Sequence, residues 1–331
     1  EGPAAYVSIM EGCNKYCSYC VVPYTRGEEL SRPFDDVLHE VFSLAEQGVR
    51  EITLLGQNVN AYKNGGFAKL LKEVGAIDGL ERIRFMSPHP RDFTESVIDA
   101  MAQTKKVMPH LHMPLQSGSN KILQSMRRSY RRERYLQLIE KVRQSIPDAG
   151  ITTDVIVGFP GETDEDFADT LDLIRQVKFT AAYTFQYSKR PNTPAASMPD
   201  QISGEVMKER YETLHSVQQE ISLSENKKLI GKSVELLVAD HTGKRDGEQN
   251  RMNGRTPDFR LVHFGVGDSQ KVRPGDFVKV EVTDASPNHL VAANEPTSIR
   301  TSRGGDAHSL LMQEVGEQKI MLGLPSLKKI K

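Results

Sequence analysis

The chain has 331 residues, of which 38% are apolar and 26% are charged, as in a globular protein large enough for two domains. No stretch approaches the roughly 18 consecutive apolar residues that cross a bilayer, so membrane-spanning proteins are excluded. A net charge of −1 excludes a strongly basic chain. All three cysteines lie between positions 13 and 20, which excludes a disulfide framework and predicts a reduced, cytoplasmic location.

The first part of the chain alternates short apolar runs with amphipathic segments. The runs cover residues 5–10, 51–55, 82–86, 110–113, 151–158 and 181–186. They are short and mostly β-branched or aromatic, as buried parallel strands are, and apolar residues at helical spacing lie between them. Six strand–helix repeats predict an α/β fold with a parallel sheet. Periodicity alone does not distinguish a doubly wound sheet from a barrel.

The residue pattern changes after three prolines between positions 191 and 199. A long helix is predicted over 204–229. Short antiparallel strands are predicted at 234–238, 260–264, 276–282 and 290–293, as in a small barrel or sandwich. We therefore expect a core domain over 1–228, an all-β domain over 229–298 and a flexible polar and basic tail over 299–331.

The cysteines form a C-x₃-C-x₂-C run, Cys13, Cys17 and Cys20, directly after the first predicted strand. Catalytic groups gather at strand ends of this kind in parallel barrels. A structural zinc ion would need a fourth ligand, and ferredoxin-type clusters recruit four thiolates. Three thiolates suit a 4Fe–4S cluster whose fourth iron is open. The spacing favours this cluster, with structural zinc and simple buried thiols as the alternatives.

This spacing, with Tyr19 before the last cysteine, resembles the signature of the radical S-adenosylmethionine (SAM) superfamily. Residues 25–33, 54–62, 114–119 and 157–163 resemble its methylthiotransferase family, and the β-rich segment looks like that family's TRAM domain. The resemblance implies a partial (β/α)6 TIM-like barrel followed by a small all-β, OB-like TRAM domain.

The Gly-Gln-Asn-Val-Asn-Ala-Tyr run at 56–62 is similar to the branch that acts on isopentenylated adenosine in tRNA. This branch adds a methylthio group to C2 of N6-isopentenyladenosine next to the anticodon. Two alternatives keep the chemistry and change the substrate to a ribosomal protein side chain or to threonylcarbamoyladenosine in tRNA. A third alternative is a non-catalytic RNA-binding module with a structural metal.

The resemblance implies two cofactors, a 4Fe–4S cluster on the three cysteines and SAM bound to its open iron. An electron from the cluster then cleaves SAM to a 5′-deoxyadenosyl radical, so that the cofactor carries the difficult chemistry. The residues implied to bind SAM are Gly56, Gln57, Asn58, Gln116, Ser117, Arg128, Gly158, Pro160 and Gly161.

Within that set, residues 56–58 are implied to contact the methionine amino group, and residues 158–162 the adenine. Arg128 is implied to pair with the methionine carboxylate, a contact to which a guanidinium is well suited. The alternatives are a tight turn at 56–58 and a plain strand-to-helix turn at 158–162.

Basic residues supply the predicted RNA contacts. They are Arg26, Arg32, Lys244, Arg245, Arg251 and Arg255. Arg26 and Arg32 could instead bind the methionine carboxylate or be plain surface charges. The segment 121–134, with six basic residues against Glu133, is either a phosphate-binding helix or a solvated helix face.

Histidines are the other candidates for chemistry. Three of them, His89, His110 and His112, lie near predicted strand ends and are interpreted as structural. No catalytic residue is assigned.

One departure from the family pattern concerns sulfur. Members carry an N-terminal domain with three further cysteines and a second 4Fe–4S cluster, and no such cysteines occur here. The chain therefore reads as part of a longer protein, to which the full activity belongs. The chain alone is expected to cleave SAM without inserting sulfur. The expected partners are a tRNA anticodon stem-loop, an electron donor such as a flavodoxin-type protein, and a sulfur source, with no membrane partner.

Overall fold

The structure is a computed structural model that describes residues 2–241, 243, 246, 250–267 and 272–301. The strands are β1 (Ala4–Ser8), β2 (Met10–Glu11), β3 (Leu30–Ser31), β4 (Glu51–Leu55), β5 (Arg82–Phe85), β6 (His110–His112), β7 (Gly150–Val157), β8 (Ala181–Gln186), β9 (Ser233–Val238), β10 (Arg251–Arg255), β11 (Leu261–Gly265), β12 (Phe277–Glu281), β13 (Asp284–Ala285), β14 (Leu290–Ala292) and β15 (Ser298–Arg300). The α-helices are α1 (Val22–Thr25), α2 (Phe34–Glu46), α3 (Phe67–Ala76), α4 (Glu95–Gln103), α5 (Asn120–Ser125), α6 (Arg132–Ser145), α7 (Asp164–Val177) and α8 (Gly204–Lys227).

Six parallel strands form the first layer, in two sheets of order β1-β4-β5 and β6-β7-β8. A parallel bridge between Ile83 and Val107 links the two sheets. The strands follow one another in chain order with no reversal, which is the order of a barrel and not of a doubly wound sheet. In the described part of the chain β1 and β8 do not pair, so the barrel is open, and the predicted partial barrel is confirmed.

The helices cover the outside of this barrel because each strand alternates its side chains. In β1, Ala5 and Val7 are buried in the core against the helices, whereas Tyr6 and Ser8 point to the other side. Helix α7 begins with a capping box, in which Thr163 and Asp166 bond to each other's backbone N–H groups. No helix in the described ranges is both long and apolar enough to cross a membrane.

A second hydrophobic core lies in the C-terminal part of the chain. Seven strands share one sheet of order β13-β14-β11-β10-β9-β12-β15, and their apolar residues form a cluster of their own. The antiparallel prediction was wrong for one pair, since β11 and β14 run parallel. Strand β10, Arg-Met-Asn-Gly-Arg, was not predicted because it lacks apolar alternation. The domain boundary at 228 stays a prediction.

Two further sequence predictions need correction. The basic segment 121–134 is not one helix, because α5 ends at Ser125, α6 begins at Arg132 and Arg127 between them has a φ of 56°. The predicted tail begins too early, because Ile299 and Arg300 pair with β12 as part of β15. The rest of the predicted tail, from 302 onward, lies outside the described residues.

The β-rich part closes the end of the barrel where the strands begin. Arg84 donates to the carbonyls of Pro257 and Thr256 at 2.8 and 2.9 Å, and Arg82 donates to the carbonyl of Arg255 at 2.8 Å. The Nε of Arg84 lies 3.0 Å from Oε2 of Glu51 without the alignment of a hydrogen bond, so ionic attraction joins the pair. These buried charges join the two parts of the chain.

Phe259 fills the same end of the barrel. Its ring stacks on that of His110 at 4.6 Å and lies under the guanidinium of Arg84 at 4.8 Å. The φ of Phe259 is 76°, a conformation that costs a residue with a side chain on the order of 1–3 kcal/mol and persists only where the surroundings hold it. The stacked ring provides that support.

The buried pair gives a prediction about stability. We expect Arg84→Ala to lower the free energy of unfolding by about 3–5 kcal/mol, because it leaves the buried Glu51 carboxylate without its closest partner. Arg131→Ala is the matched control, since Arg131 pairs with Glu133 on the surface, and it should cost less than about 1 kcal/mol. Denaturant unfolding of both variants measures the difference, and equal losses would contradict the assignment.

Candidate functional site

The three cysteines lie on a loop that follows β2 at the carboxyl end of the first barrel strands. Gly12 opens this loop with a φ of 75°, and a Cβ there would lie 2.0 Å from the carbonyl oxygen of Glu28, so only glycine fits. The N–H of Gly12 donates to Oε1 of Gln57 at 2.8 Å. Gln57, predicted to contact SAM, therefore holds the start of the cysteine loop.

Ser18 holds the middle of the loop. Its N–H donates to the carbonyl of Met126 at 3.1 Å and its hydroxyl to the carbonyl of Ser125 at 2.8 Å. The carbonyl of Ser18 accepts from the N–H of Ala195 at 2.8 Å. The loop is therefore tied to the end of α5 and to the segment after β8. Sequence spacing alone gave no signal for this serine.

The three thiols lie close enough together to influence one another's protonation. Burial raises the pKa of the Cys13 thiol, and the nearby Cys17 and Cys20 raise it further, whereas the N–H of Lys15 lowers it. Burial likewise raises the pKa of Cys20, opposed by the N–H of Val22. A raised pKa favours the protonated thiol over the thiolate. A metal centre must displace those protons, so its binding is favoured as the pH rises.

A 4Fe–4S cluster fits this donor set better than a single metal ion. Among the described residues, no group of three or more cysteine, histidine or acidic side chains is arranged to hold one ion. A structural zinc site needs four ligands around one point. Thiolates of a cluster bind different iron atoms and lie farther apart, and backbone N–H groups reach two of the three sulfurs here.

Arg128 lies in the interior beside the cysteine loop. Its guanidinium donates to Sγ of Cys17 at 3.4 Å, to the carbonyl of Pro114 at 3.5 Å and to the hydroxyl of Tyr130 at 3.1 Å. It also lies over the ring of Tyr130 at 5.1 Å. These contacts make Arg128 a positioning residue for the loop, and its pairing with the methionine carboxylate stays a prediction.

Asn58 is buried beside the same loop. Its Nδ2 donates to Oε1 of Glu29 at 3.0 Å and to Oδ2 of Asp92 at 3.3 Å, and Lys15 pairs with Asp92. Its Oδ1 has no hydrogen-bond partner in the described residues. The side chain therefore joins a charged network that sequence reasoning missed. Gly56 lies in close packing, because a Cβ there would be 2.5 Å from Cγ of Met10.

A cavity of about 590 Å³ opens beside the loop at the mouth of the barrel. Tyr19 and Gln116 line it together with Asp154, Ile156 and Phe185. Gln116 has a φ of 70°, which places it at a sharp bend after β6.

Ser117, predicted beside Gln116, does not line this cavity. Its buried hydroxyl accepts from the N–H of Ser119 at 3.2 Å and lies 3.4 Å from the hydroxyl of Thr170. Gln116 therefore stays a candidate for SAM contact, whereas the contacts of Ser117 fix the chain before α5.

The segment from Gly158 to Glu162 forms a compact turn after β7. The N–H of Gly158 donates to the carboxylate of Glu162 at 2.7 Å, and that carboxylate pairs with Arg210 at 2.8 Å. Gly158 has a φ of 73°, and a Cβ there would lie 2.1 Å from Cγ of Met207. Pro160 is buried, and the N–H of Gly161 donates to the carbonyl of Asp200 at 2.9 Å.

This turn is adjacent to the cysteine loop through aromatic packing. The ring of Phe159 lies edge-on to Tyr19 at 6.5 Å and to Tyr187 at 5.4 Å. The turn therefore has a structural role of its own, and contact with adenine stays a prediction.

The predicted RNA contacts differ in their surroundings. Arg26 is exposed, whereas Arg32 donates to the carbonyl of Ser8 at 2.7 Å and pairs with Glu40 at 2.6 Å.

The remaining predicted RNA contacts lie in the β-rich part. Arg255 lies over the ring of Phe259 at 4.6 Å and donates to its carbonyl at 3.1 Å, and burial lowers its pKa. Arg251 begins β10, and Lys244 and Arg245 lie outside the described residues. The structure therefore brings neither Arg32 nor Arg255 to the surface as a free cation.

The histidines fit the structural interpretation. Burial and then the charges of Arg128 and Lys15 lower the pKa of His89 to about 2, so it stays neutral at physiological pH. Burial also lowers the pKa of His110. His112 lies 3.0 Å from the hydroxyl of Thr152 and 3.2 Å from the carboxylate of Asp154.

Comparison with known families agrees with this geometry. The sequence profile of the radical SAM superfamily matches residues 7–174, from β1 to α7. The chain belongs to the radical SAM superfamily. Membership implies that it takes a 4Fe–4S cluster and SAM as cofactors, and the loop of Cys13, Cys17 and Cys20 is the donor set that fits the cluster.

Curated relatives narrow the family. The tRNA-2-methylthio-N(6)-dimethylallyladenosine synthases of Streptomyces avermitilis and Streptomyces coelicolor are 55% and 56% identical, over 98% of this chain and 66% and 65% of their own lengths. The synthase of Thermobifida fusca is 55% identical, over 98% of this chain and 67% of its length. Within the superfamily, the chain thus belongs to the methylthiotransferase family and spans about two thirds of these relatives.

Solved structures support the fold alone. The radical SAM methyltransferase TsrM from Kitasatospora setae, solved with cobalamin and a 4Fe–4S cluster, aligns with a TM-score of 0.52 at 21% identity, over 59% of this chain and 39% of its own. Coproporphyrinogen III oxidase (HemN) from Escherichia coli aligns with a TM-score of 0.50 at 16% identity, over 85% of this chain and 67% of its own. Both are described as radical SAM enzymes.

The position of Arg128 gives a second prediction. Arg128→Lys keeps the charge and loses the planar group that reaches Cys17 and Tyr130 together. We expect reconstituted protein of this variant to hold less iron per chain than the wild type, because the loop loses its anchor. Unchanged iron content with weaker SAM binding would show instead that Arg128 serves the carboxylate and not the loop.

Proposed function

We propose that this chain is the radical SAM part of an enzyme that adds a methylthio group to C2 of N6-isopentenyladenosine next to the tRNA anticodon. One observation carries the proposal. The cysteine loop, Gln57, Asn58 and the cavity beside Gln116 meet at one rim of the barrel, in a chain 55–56% identical to synthases named for this product. The names of these relatives favour tRNA over a ribosomal protein side chain and over threonylcarbamoyladenosine.

The cofactors and the residues of the chain have different roles in the proposed reaction. When bound, the cluster supplies the electron that cleaves SAM reductively. The chain's own residues would hold and orient the cluster. Cys13, Cys17 and Cys20 provide the thiolates, and Gln57 and Arg128 fix the loop that carries them. Cys17 is buried on the inner side of the loop, which limits the access of water there, as radical chemistry requires.

The remaining elements of the proposal are partners. The anticodon stem-loop must present its adenine out of the stack, as other base-modifying enzymes require. An electron donor such as a flavodoxin-type protein and a sulfur source are further expected partners, and a cytoplasmic location stays a prediction. A TRAM-type role in RNA binding for 229–298 is likewise proposed. The contacts of Arg82 and Arg84 give that part a structural role as well.

The proposal predicts two separable outcomes for this chain. After anaerobic reconstitution it should hold about four irons and form 5′-deoxyadenosine from SAM and a reductant, because the three thiolates bind one cluster. With a stem-loop RNA carrying N6-isopentenyladenosine, it should bind the RNA and yield no methylthiolated product, because no cysteine remains for a second cluster.

Cys17→Ala is the control for this experiment and should form no 5′-deoxyadenosine. Wild-type protein that binds iron and leaves SAM intact would contradict the radical assignment. Wild-type protein that cleaves SAM and does not bind the RNA would contradict the tRNA substrate.

A further inference from the structure

The open edge of the barrel carries exposed aromatic rings. Strand β8 pairs with β7 and with no other strand in the described part of the chain. On β8, Tyr183 is 48% and Phe185 is 53% exposed, and on β1, the opposite edge strand, Tyr6 is 73% exposed. Large exposed rings therefore lie on both edge strands, with two of them on β8, and contiguous exposed apolar patches mark binding sites.

The rings of β8 face the inside of the barrel. Parallel neighbours in register share a face, and Tyr183 pairs with Asp154 while Phe185 pairs with Ile156. Asp154, Ile156 and Phe185 line the 590 Å³ cavity beside the cysteine loop. Ala182, next to Tyr183 in sequence, packs against the main core on the other face. The exposed surface is therefore continuous with the mouth of the candidate site.

Positive charge follows the rings along the chain. Lys189 and Arg190 are exposed directly after β8, and Arg190 lines the same cavity. Neither side chain has an ion-pair partner among the described residues, in contrast to Arg32 and Arg210, which pair with acidic groups. Two stacking surfaces and two available cations thus lie along one edge, within a few residues of each other.

We infer that this edge, Tyr183, Phe185, Lys189 and Arg190, binds the single-stranded loop of the RNA substrate. The rings stack on unpaired bases next to the base that enters the cavity, and the two cations contact the backbone phosphates. Proteins that bind single strands combine these two elements, because every base has a face to stack and every linkage has a charge. The inference rests on the proposed function, since it specifies where that RNA lies.

The mixture of aromatic and polar residues along this edge favours single-stranded RNA over a protein partner. A protein interface of useful size buries a continuous apolar centre. Here Tyr183 and Phe185 share one face and are followed by the exposed polar residues Gln186 and Ser188, which gives a small apolar surface bordered by polar groups. Bases of a single strand, with phosphates between them, match that spacing of apolar and charged groups.

Phe185→Ala tests the stacking, with Phe42→Ala as its matched control. Phe42 lies on α2, away from this edge, and is also 53% exposed, so the two variants remove the same side chain at the same exposure. The probes are a stem-loop RNA carrying N6-isopentenyladenosine and a blunt duplex of its stem. Stacking on one base changes affinity roughly five- to 150-fold, so Phe185→Ala should weaken stem-loop binding by that factor and leave duplex binding unchanged.

The double variant Lys189→Gln, Arg190→Gln tests the phosphate contacts. Each phosphate contact of a single strand contributes about 0.7 to the slope of log affinity against log salt, so the slope should fall by about 1.4. Melting temperatures of all variants should match the wild type, because the substituted residues are exposed. Affinity loss without a change in slope would overturn the phosphate role.

Other outcomes are equally decisive. If Phe185→Ala binds the stem-loop as Phe42→Ala does, or weakens loop and duplex alike, the stacking role is wrong. If Phe185→Ala changes the oligomeric state and not the RNA affinity, the edge is a protein interface. If the wild-type chain binds neither RNA, the proposed tRNA substrate fails, and this inference falls with it. If the wild-type chain binds the stem-loop, the tRNA substrate stands, and the affinities of the variants alone decide whether this edge binds it.

Discussion

The site depends on how the cysteine loop is held against the barrel. Three thiols on eight residues of loop have no secondary structure to fix them. The structure supplies the bond from Arg128 to Cys17, the two bonds of Ser18 to the end of α5, and the bond from Gly12 to Gln57. These anchors come from two segments, the one that follows β4 and the one at the end of α5, which follows β6. A parallel barrel can supply them because its strand ends all meet at one rim.

The opposite end of the barrel is closed by buried charge. Arg84 and Glu51 lie inside the barrel, and Phe259 with the carbonyls of the β-rich part completes their surroundings. In the described part of the chain the interior is therefore open at the cysteine rim and along the edge at β8, where the proposed RNA substrate would enter. The contacts of Arg82 and Arg84 with the β-rich part give that part a structural role beside its proposed RNA binding.

The sequence predicted the features that local pattern determines. Apolar runs located the six barrel strands, and cysteine spacing located the loop, because both signals lie within a few neighbouring residues. Contacts between distant segments gave no such signal: Glu29 and Asp92 meet Asn58 from 29 and 34 residues away. The left-handed Arg127 broke a helix that charge patterning predicted as continuous. Counting basic residues likewise could not show that Arg32 and Arg255 contact the protein itself.

We propose that Cys13, Cys17 and Cys20 hold a 4Fe–4S cluster with one iron open to SAM. Mössbauer spectroscopy of the chain reconstituted with iron-57, before and after addition of SAM, tests it most directly. The account predicts a four-iron cluster in which the signal of one iron site changes on addition of SAM while the others stay. A spectrum that SAM leaves unchanged, or a colourless protein that binds one zinc ion through these cysteines, would contradict it.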